Sequence, residues 1–161
     1  MQQIRRARPD EWEMLAAVAA AADTLFDTVG IRPLPPSAGA PAFAAAHAVL
    51  ACGDPPVGFA MLEVVDGSAF LDQLSVHPDH TRQGLGAALL EAACAWAAAE
   101  GFAAITLTTF ADVPWNGPFY TRHGFAPVTG ELPAGLRRIR DREIAIGLDA
   151  FGPRFAMRKP L

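Results

Sequence analysis

The chain has 161 residues and a mass of 17.0 kDa, a length that predicts one domain spanning residues 1–161 with a buried core. Its formal charge of −4 and pI near 5.5 argue against nucleic acid as a main partner, because that binding depends on neutralising phosphates. The sequence lacks the long apolar run of a membrane span or signal peptide, and Cys52 and Cys94 form no metal or redox motif. A cytoplasmic protein with no membrane partner is therefore expected.

The first half of the chain predicts a strand, a helix and a run of antiparallel strands. Residues 2–8 favour an edge strand, and Pro9 then begins a helix that continues over residues 12–26. The proline- and glycine-rich segment 31–41 is expected to be irregular, either as a mobile lid or as an ordinary connector. Three antiparallel strands follow, over residues 46–52, 57–65 and 68–76. Asp66-Gly67 is a strong hairpin-turn signal between the last two.

The second half alternates helices with strands. A helix that starts at Gly84 and stops at Gly101 is followed by a buried strand over residues 102–109. Because a helix connects it to the preceding strand, this strand should run parallel to that strand. The remaining elements are a strand over 125–128, a helix over 133–148 and a last strand over 153–158. The order predicts an α/β (α+β) fold with a mixed sheet and helices on its faces. The arginines between 137 and 142 are expected to lie on a solvated helix face.

The strand, loop and helix from Phe70 to Leu90 carry the strongest functional signal. The first N–H groups of a helix lack intrahelical partners and carry partial positive charge, so the loop containing Gly84 and Gly86 predicts a phosphate cradle. A dinucleotide fingerprint would need a third glycine where Leu89 stands, and a P-loop would need a Gly-Lys-Ser/Thr that the chain lacks.

The loop resembles motif A of the GNAT N-acyltransferases, which reads Gln/Arg-x-x-Gly-x-Gly/Ala after a strand. Gly84 and Gly86 match its glycines, while Thr81 stands at the Gln/Arg position with Arg82 beside it as a substitute. A second block downstream matches the family's order of an asparagine, an aromatic-tyrosine pair and a Gly-Phe pair: Asn116, Phe119, Tyr120, Gly124 and Phe125.

The resemblance implies the GNAT acyl-CoA N-acyltransferase fold, a mostly antiparallel central sheet whose fourth and fifth strands form a splayed parallel pair. It implies acetyl-CoA as co-substrate. The residues that would bind this cofactor are Leu74, Ser75, Val76, Thr81, Arg82, Gln83, Gly84, Leu85, Gly86, Ala87, Asn116, Phe119 and Tyr120. Asn116 also suits a helix cap, and the two roles are compatible. No metal is assigned, because His77 and His80 alone make a poor metal site.

Three residues are candidates for catalysis. In the family pattern Tyr120 lies near the thioester sulfur, where a phenol that stays protonated at neutral pH can donate to the departing thiolate. The alternative is a tyrosine packed against the sheet. Asp72 and Glu63, carboxylates within apolar strands, are candidates for the general base, perturbed by partial burial. An outward-facing or amine-orienting carboxylate, or deprotonation relayed by solvent, is the alternative for each.

The resemblance implies an acetyl-CoA-dependent N-acetyltransferase that transfers an acetyl group directly to a primary amine of a small molecule. Two alternatives stay open: an acetyltransferase for protein lysines or N-termini, and a non-catalytic module that binds acyl-CoA. Relatives often form dimers, so a homodimer, with Phe155 to Met157 as one route, is also open.

Overall fold

Seven strands form one mixed sheet in the computed structural model, which describes residues 3–161. The strands are β1 (Ile4–Arg6), β2 (Ala48–Cys52), β3 (Gly58–Val65), β4 (Ser68–Val76), β5 (Ala104–Phe110), β6 (Ala126–Pro127) and β7 (Arg154–Pro160). Hydrogen-bonded neighbours follow the order β1-β2-β3-β4-β5-β7-β6. β4 runs parallel to β5, with Ala69 opposite Ile105, whereas β2 and β7 pair antiparallel with their partners. The mixed sheet with its parallel β4/β5 pair confirms the predicted fold class. Gln2, where the opening strand was expected to begin, lies outside the described residues.

Five α-helices occur within residues 3–161: α1 (Trp12–Asp23), α2 (Ala40–Ala45), α3 (Leu85–Ala99), α4 (Gly117–Arg122) and α5 (Ala134–Ala145). Short 3₁₀ helices lie at Pro9–Glu11, Thr24–Val29, Pro78–His80 and Leu148–Phe151. The predicted helices therefore exist. Two of them, α1 and α5, end at residues 23 and 145, before their predicted ends at residues 26 and 148. Gly86, expected in the loop, belongs to the first turn of α3.

The helix α2 corrects the prediction for segment 31–41, which was expected to be irregular to its end. The helix begins at Ala40, and Pro41 stands in its first turn, where the missing N–H has no intrahelical partner to lose. Phe43 is buried and packs edge-on against Phe59 of β3, with ring centroids 4.9 Å apart. Burial of this one aromatic side chain holds a helix of six residues that would be marginal by itself.

The chain forms two compact units. The first comprises residues up to Glu63 together with Leu71–Trp96, and the second comprises Val64–Phe70 with Ala97–Leu161. In the first unit, α1 and α2 bury one face of β2 and β3 through a core of Leu15, Val18, Ala19, Phe43, Val49, Ala51, Phe59 and Met61. In the second unit, α5 packs against the sheet through Leu136, which contacts Phe70 and Ala156.

The hairpin turn between β3 and β4 also anchors α5. Asp66 and Gly67 have φ values of 54° and 75°, the left-handed pair that a two-residue hairpin of this type requires. The Asp66 carboxylate accepts the N–H groups of Gly135 at 2.7 Å and Leu136 at 3.0 Å, and so satisfies the start of α5. The predicted hairpin is therefore present and has a second role that sequence did not reveal.

β7 is an interior strand where the sequence suggested a route to dimers. Met157 pairs with Leu107 of β5 on one side and with Pro127 of β6 on the other. Ala156 also has partners on both sides, since its carbonyl accepts the Val128 N–H, so Ala156 and Met157 lie on no free sheet edge. Addition of a second chain at Phe155 stays a prediction. A homodimer formed in another way stays a prediction.

Glu11 is fully buried between two arginines at the start of α1. Its carboxylate accepts hydrogen bonds from both terminal nitrogens of Arg5, at 2.9 and 2.7 Å, and from the Arg8 N–H at 2.7 Å. The Arg5 hydrogen bonds, helped by the Arg8 N–H and by both positive charges, lower the pKa of Glu11 from 4.5 to about 2 despite its burial.

Acid is expected to weaken this anchor in a defined range. Since the folded-state pKa lies below the unfolded value, the stability from Glu11 is complete above pH 4.5 and is lost as the pH falls towards about 2. Glu11→Gln should cost about 1–3 kcal/mol in the free energy of unfolding at neutral pH and should flatten the acid dependence. Urea unfolding at a series of pH values measures both. Glu13→Gln, an exposed change on the same helix, is the control, and equal acid slopes in wild type and Glu11→Gln would contradict the assignment.

Candidate functional site

The loop between β4 and α3 enters the helix through two residues with positive φ. Arg82 and Gly84 both adopt left-handed conformations, with φ values of 63° and 76°. The Gly84 carbonyl accepts the Ala88 N–H at 3.1 Å, which makes it the first acceptor of α3. The N–H groups of Leu85, Gly86 and Ala87 therefore belong to the helix start, where backbone donors have no intrahelical acceptor. The left-handed residues stand one and three positions before the helix, and left-handed backbone of this kind occurs in the nests that bind anions.

A small apolar cluster joins the two elements on either side of this loop, β4 and α3. Leu85 and Leu89 of α3 are buried with Cys52, and Leu74 and Val76 of β4 pack against them. Gly58 lets the strands approach: a Cβ there would lie 3.0 Å from the Ser75 carbonyl oxygen and 3.1 Å from a Leu89 methyl group. The end of β4 and the start of α3 are therefore fixed relative to each other.

The side chains at the loop entrance, residues 81–83, differ in their contacts and exposure. The Thr81 hydroxyl donates to the Pro78 carbonyl at 3.0 Å, so it closes the preceding turn. Arg82 and Gln83 are exposed. The guanidinium of Arg82 is thus the charged group of this entrance, next to the threonine that replaces the family's Gln/Arg.

Asn116 begins α4 in the second unit. Its side-chain amide donates to the Trp115 carbonyl at 3.0 Å, and its own carbonyl accepts the Tyr120 N–H at 3.0 Å. Asn116 therefore occupies the predicted N-cap position of α4, but its side chain makes no capping hydrogen bond. Gly117 follows with the tightest backbone approach of this segment, since a Cβ there would lie 2.5 Å from the Ala111 carbonyl oxygen.

Tyr120 is buried, with 7% of its surface exposed, and belongs to an aromatic group within the second unit. Its ring centroid lies 5.2 Å from that of Phe119 and 5.6 Å from that of Phe125. Burial raises the pKa of the Tyr120 hydroxyl above its ordinary value of 10, so the phenol stays protonated throughout the neutral range. The hydroxyl therefore carries a proton at neutral pH, which is the state that a general acid needs, although the raised pKa also makes it a weaker acid.

Glu63 and Asp72 lie close enough in the first unit for their charges to interact. Burial, and after it the negative charge of Asp72, raises the pKa of the Glu63 carboxyl, while a hydrogen bond from the His47 backbone opposes the shift. Glu63 is half-buried on β3, and Asp72 is exposed on β4. The two candidates therefore differ in exposure: Glu63 is partly desolvated and its pKa is raised, whereas Asp72 is exposed and supplies a neighbouring negative charge.

An ionic cluster that was not predicted from sequence lies in the second unit and is formed by Arg140, Glu143, Asp149 and Arg154. The arginines between 137 and 142 were predicted to lie on a solvated helix face, and Arg137, Arg138 and Arg142 are exposed. Arg140 is buried instead, because Glu143 three residues later and Asp149 nine residues later both bind it. An acidic residue three positions and another nine positions after Arg140 were the sequence signal that could have predicted these ion pairs.

No helix in the described part of the chain is long and apolar enough to cross a membrane. Within residues 3–161, no group of three or more potential metal-binding side chains occurs. The His77 Nδ1 atom accepts the Asp79 N–H at 3.1 Å and so serves the turn before the loop.

Comparison with known proteins places this geometry in context. The sequence matches the family described as "Acetyltransferase (GNAT) family" over residues 11–125. The fold is similar to that of PaiA N-acetyltransferase from Thermoplasma acidophilum, solved in complex with coenzyme A, with a TM-score of 0.71, 17% identity, and coverage of 100% of this chain and 99% of that one.

Two further solved structures share the fold. N-acetylglutamate synthase from Neisseria gonorrhoeae, complexed with coenzyme A and N-acetyl-glutamate, matches with a TM-score of 0.69 and 20% identity over 100% of this chain and 35% of that one. The ribosomal-protein-S18-alanine N-acetyltransferase from Escherichia coli matches with a TM-score of 0.63 and 20% identity over 99% of this chain and 94% of that one. At these identities the likeness concerns the fold.

Proposed function

Because the chain belongs to the acetyltransferase (GNAT) family, which it matches over residues 11–125, we propose that it is an acetyl-CoA-dependent N-acetyltransferase acting on a primary amine of a small molecule. The supporting observation is the left-handed backbone at Arg82 and Gly84 leading into α3. In the proposal residues 1–161 work as one acetyltransferase domain, since the PaiA enzyme of similar fold is matched over nearly its full length.

The loop would hold the pyrophosphate of coenzyme A. Backbone N–H groups from Gln83 to Ala87 would donate to the phosphate oxygens, helped by the positive end of the α3 dipole. The Arg82 guanidinium would add the positive charge that Thr81 does not supply. The backbone of Leu74, Ser75 and Val76 would pair with the pantetheine arm as an added strand, where β4 and β5 are expected to part.

The chemistry would be direct transfer. The neutral amine attacks the thioester carbonyl carbon, the carbon–sulfur bond breaks, and the sulfur leaves as coenzyme A thiol after it takes a proton from the Tyr120 hydroxyl. The nitrogen gives up a proton to the general base and is left as an acetamide. By the family pattern Asn116 and Phe119 would help to hold the coenzyme near this step. No acyl-enzyme is required.

Glu63 is the better base of the two carboxylates, because its pKa is raised and a more basic carboxylate accepts a proton from an ammonium more readily. Asp72 would keep Glu63 basic and attract the cationic form of the amine. From the sequence alone the two carboxylates were equal candidates.

A small amine is favoured over a protein acceptor by the segment that follows α1. Ile31 is buried, and Ala38 packs against the first core, so this proline-rich segment is held by both ends rather than left as an open arm. An ordered segment suits a closed acceptor pocket. Cys52 and Cys94 are both buried thiols, which fits the proposed cytoplasmic location.

The proposal is tested by thiol release from acetyl-CoA with small primary amines, lysine peptides and peptides with free N-termini, followed by mass spectrometry. We expect acetylated small amines formed in equal amount to free thiol. Acetylation confined to peptides would replace the acceptor by a protein, and coenzyme binding without thiol release for any amine would indicate a binding module instead.

The pH profile tests the base. As the pKa of Glu63 lies above 4.5, kcat/KM should rise with pH as this carboxyl loses its proton, and Glu63→Gln should lower kcat/KM by about 10²- to 10⁴-fold and remove that rise. Glu91→Gln, an equal charge change on an exposed position of α3, should leave the profile unchanged. An acidic limb that persists in Glu63→Gln with full activity would assign the base to Asp72 or to water.

A further inference from the structure

Glu143 is the centre of the ionic cluster on α5. One carboxylate oxygen accepts from Arg140 at 2.7 Å, and the other accepts from the Thr108 hydroxyl at 2.6 Å and from Arg154 at 3.1 Å. The side chains of Glu143, Arg140 and Arg154 are only 13%, 10% and 9% exposed. Buried charges paired in this way are poorly screened and hold one geometry, since any displacement leaves a buried charge without its partner.

This cluster fixes the carboxyl end of β5. Thr108 is bound by Glu143, and the Arg154 guanidinium lies 4.3 Å above the ring of Phe110, opposite it in the β5–β7 register. The next residue, Ala111, donates its N–H to the Pro153 carbonyl at 2.9 Å. Positions 108, 110 and 111 are therefore all held from the side of α5 and β7.

Ala111 in turn sets the start of α4. A Cβ on Gly117 would lie 2.5 Å from the Ala111 carbonyl oxygen and 3.1 Å from its Cα, so the two backbones are in direct contact. Tyr120 follows within the first turn and is bonded through its N–H to Asn116. Close-packed backbones transmit displacement, so a shift at the end of β5 reaches the tyrosine.

We propose that Glu143 is a positioning residue for Tyr120: through Thr108 and Arg154 it holds the end of β5, which seats α4 and orients the phenol. The proposal rests on the proposed function, in which Tyr120 protonates the thiolate. It concerns a helix beyond the family match at residue 125, so this support is built by the chain's own segment between β6 and β7.

The experiment uses the fact that Tyr120 is the only tyrosine in the chain. Protein labelled with 3-fluorotyrosine gives one fluorine resonance, which reports on this ring without any need for activity. Glu143→Gln is expected to move that resonance, and so is Thr108→Val, which removes the hydroxyl and keeps the charge. The matched control, Glu131→Gln, changes an exposed glutamate of the same unit and should leave the resonance in place.

Kinetics then separate positioning from general damage. In folded Glu143→Gln, kcat should fall about tenfold with the acetyl-CoA KM unchanged, because small misplacements of a reacting group are costly. In a Tyr120→Phe background the same change should have no further effect. A resonance unmoved in folded Glu143→Gln and Thr108→Val, or a full additional loss in the Tyr120→Phe background, would overturn the proposal. A kcat insensitive to Tyr120→Phe would instead overturn the role given to Tyr120, and the fluorine resonance would still decide the coupling.

Discussion

Tyr120→Phe is expected to lower kcat by roughly ten- to ten-thousand-fold, the range for losing one proton-transfer group, with the dissociation constant for acetyl-CoA unchanged. The change removes one oxygen from a ring packed between Phe119 and Phe125 and leaves the ring contacts in place. The loss should therefore appear in the chemical step. Steady-state kinetics with a good amine acceptor and calorimetric titration of coenzyme A measure the two quantities.

Packing and chemistry can be separated at this position. Phe125→Leu disturbs the same aromatic group but keeps the hydroxyl, so it should lower Tm with a smaller effect on kcat. Burial raises the pKa of the Tyr120 hydroxyl above 10. Ionisation of this hydroxyl should therefore cause no loss of wild-type activity below pH 10. An unaltered kcat in Tyr120→Phe would remove the hydroxyl from the mechanism.

The sequence was sufficient to predict those elements whose structure depends on a few neighbouring residues. Asp66-Gly67 fixed a hairpin because two adjacent residues with positive φ are tolerated by few other pairs. The strand before Gly84 and the amphipathic helix after it appeared as expected, because strand, loop and helix each carry their own periodicity. The loop backbone was therefore within reach of sequence reasoning.

What the sequence did not yield depends on how side chains pack in the folded chain. α2 exists because Phe43 packs on Phe59, and no periodic pattern over six residues could indicate that. The burial of Arg140 depends on its ion pairs with Glu143 on the same helix and with Asp149 beyond the helix end. The rule that a run of arginines marks a solvated helix face therefore predicted the wrong environment for this residue. The raised pKa of Glu63 likewise depends on burial, which is a tertiary property.

Gly84→Val is expected to raise the dissociation constant for coenzyme A by about 10- to 100-fold, the effect of losing one charge-assisted hydrogen bond worth about 1.5–3 kcal/mol. The cause would be conformational. A Cβ at Gly84 meets no described heavy atom within 4 Å, but φ is 76°, a left-handed value that a β-branched residue avoids. Relaxing this angle would turn the N–H groups at the start of α3 away from the phosphate position.

Gly101 offers a matched control at the other end of the same helix. It also has a left-handed backbone, with φ of 90°, and a Cβ there likewise meets no described heavy atom within 4 Å. Gly101→Val should therefore impose a similar strain and lower Tm by a similar amount, while coenzyme affinity stays at the wild-type value. Equal affinities in the two variants would mean that the strain alone, and no cradle at residues 83–87, explains the result. A defect confined to Gly84→Val would identify these amides as donors to the coenzyme, because the two substitutions differ only in which end of α3 they disturb.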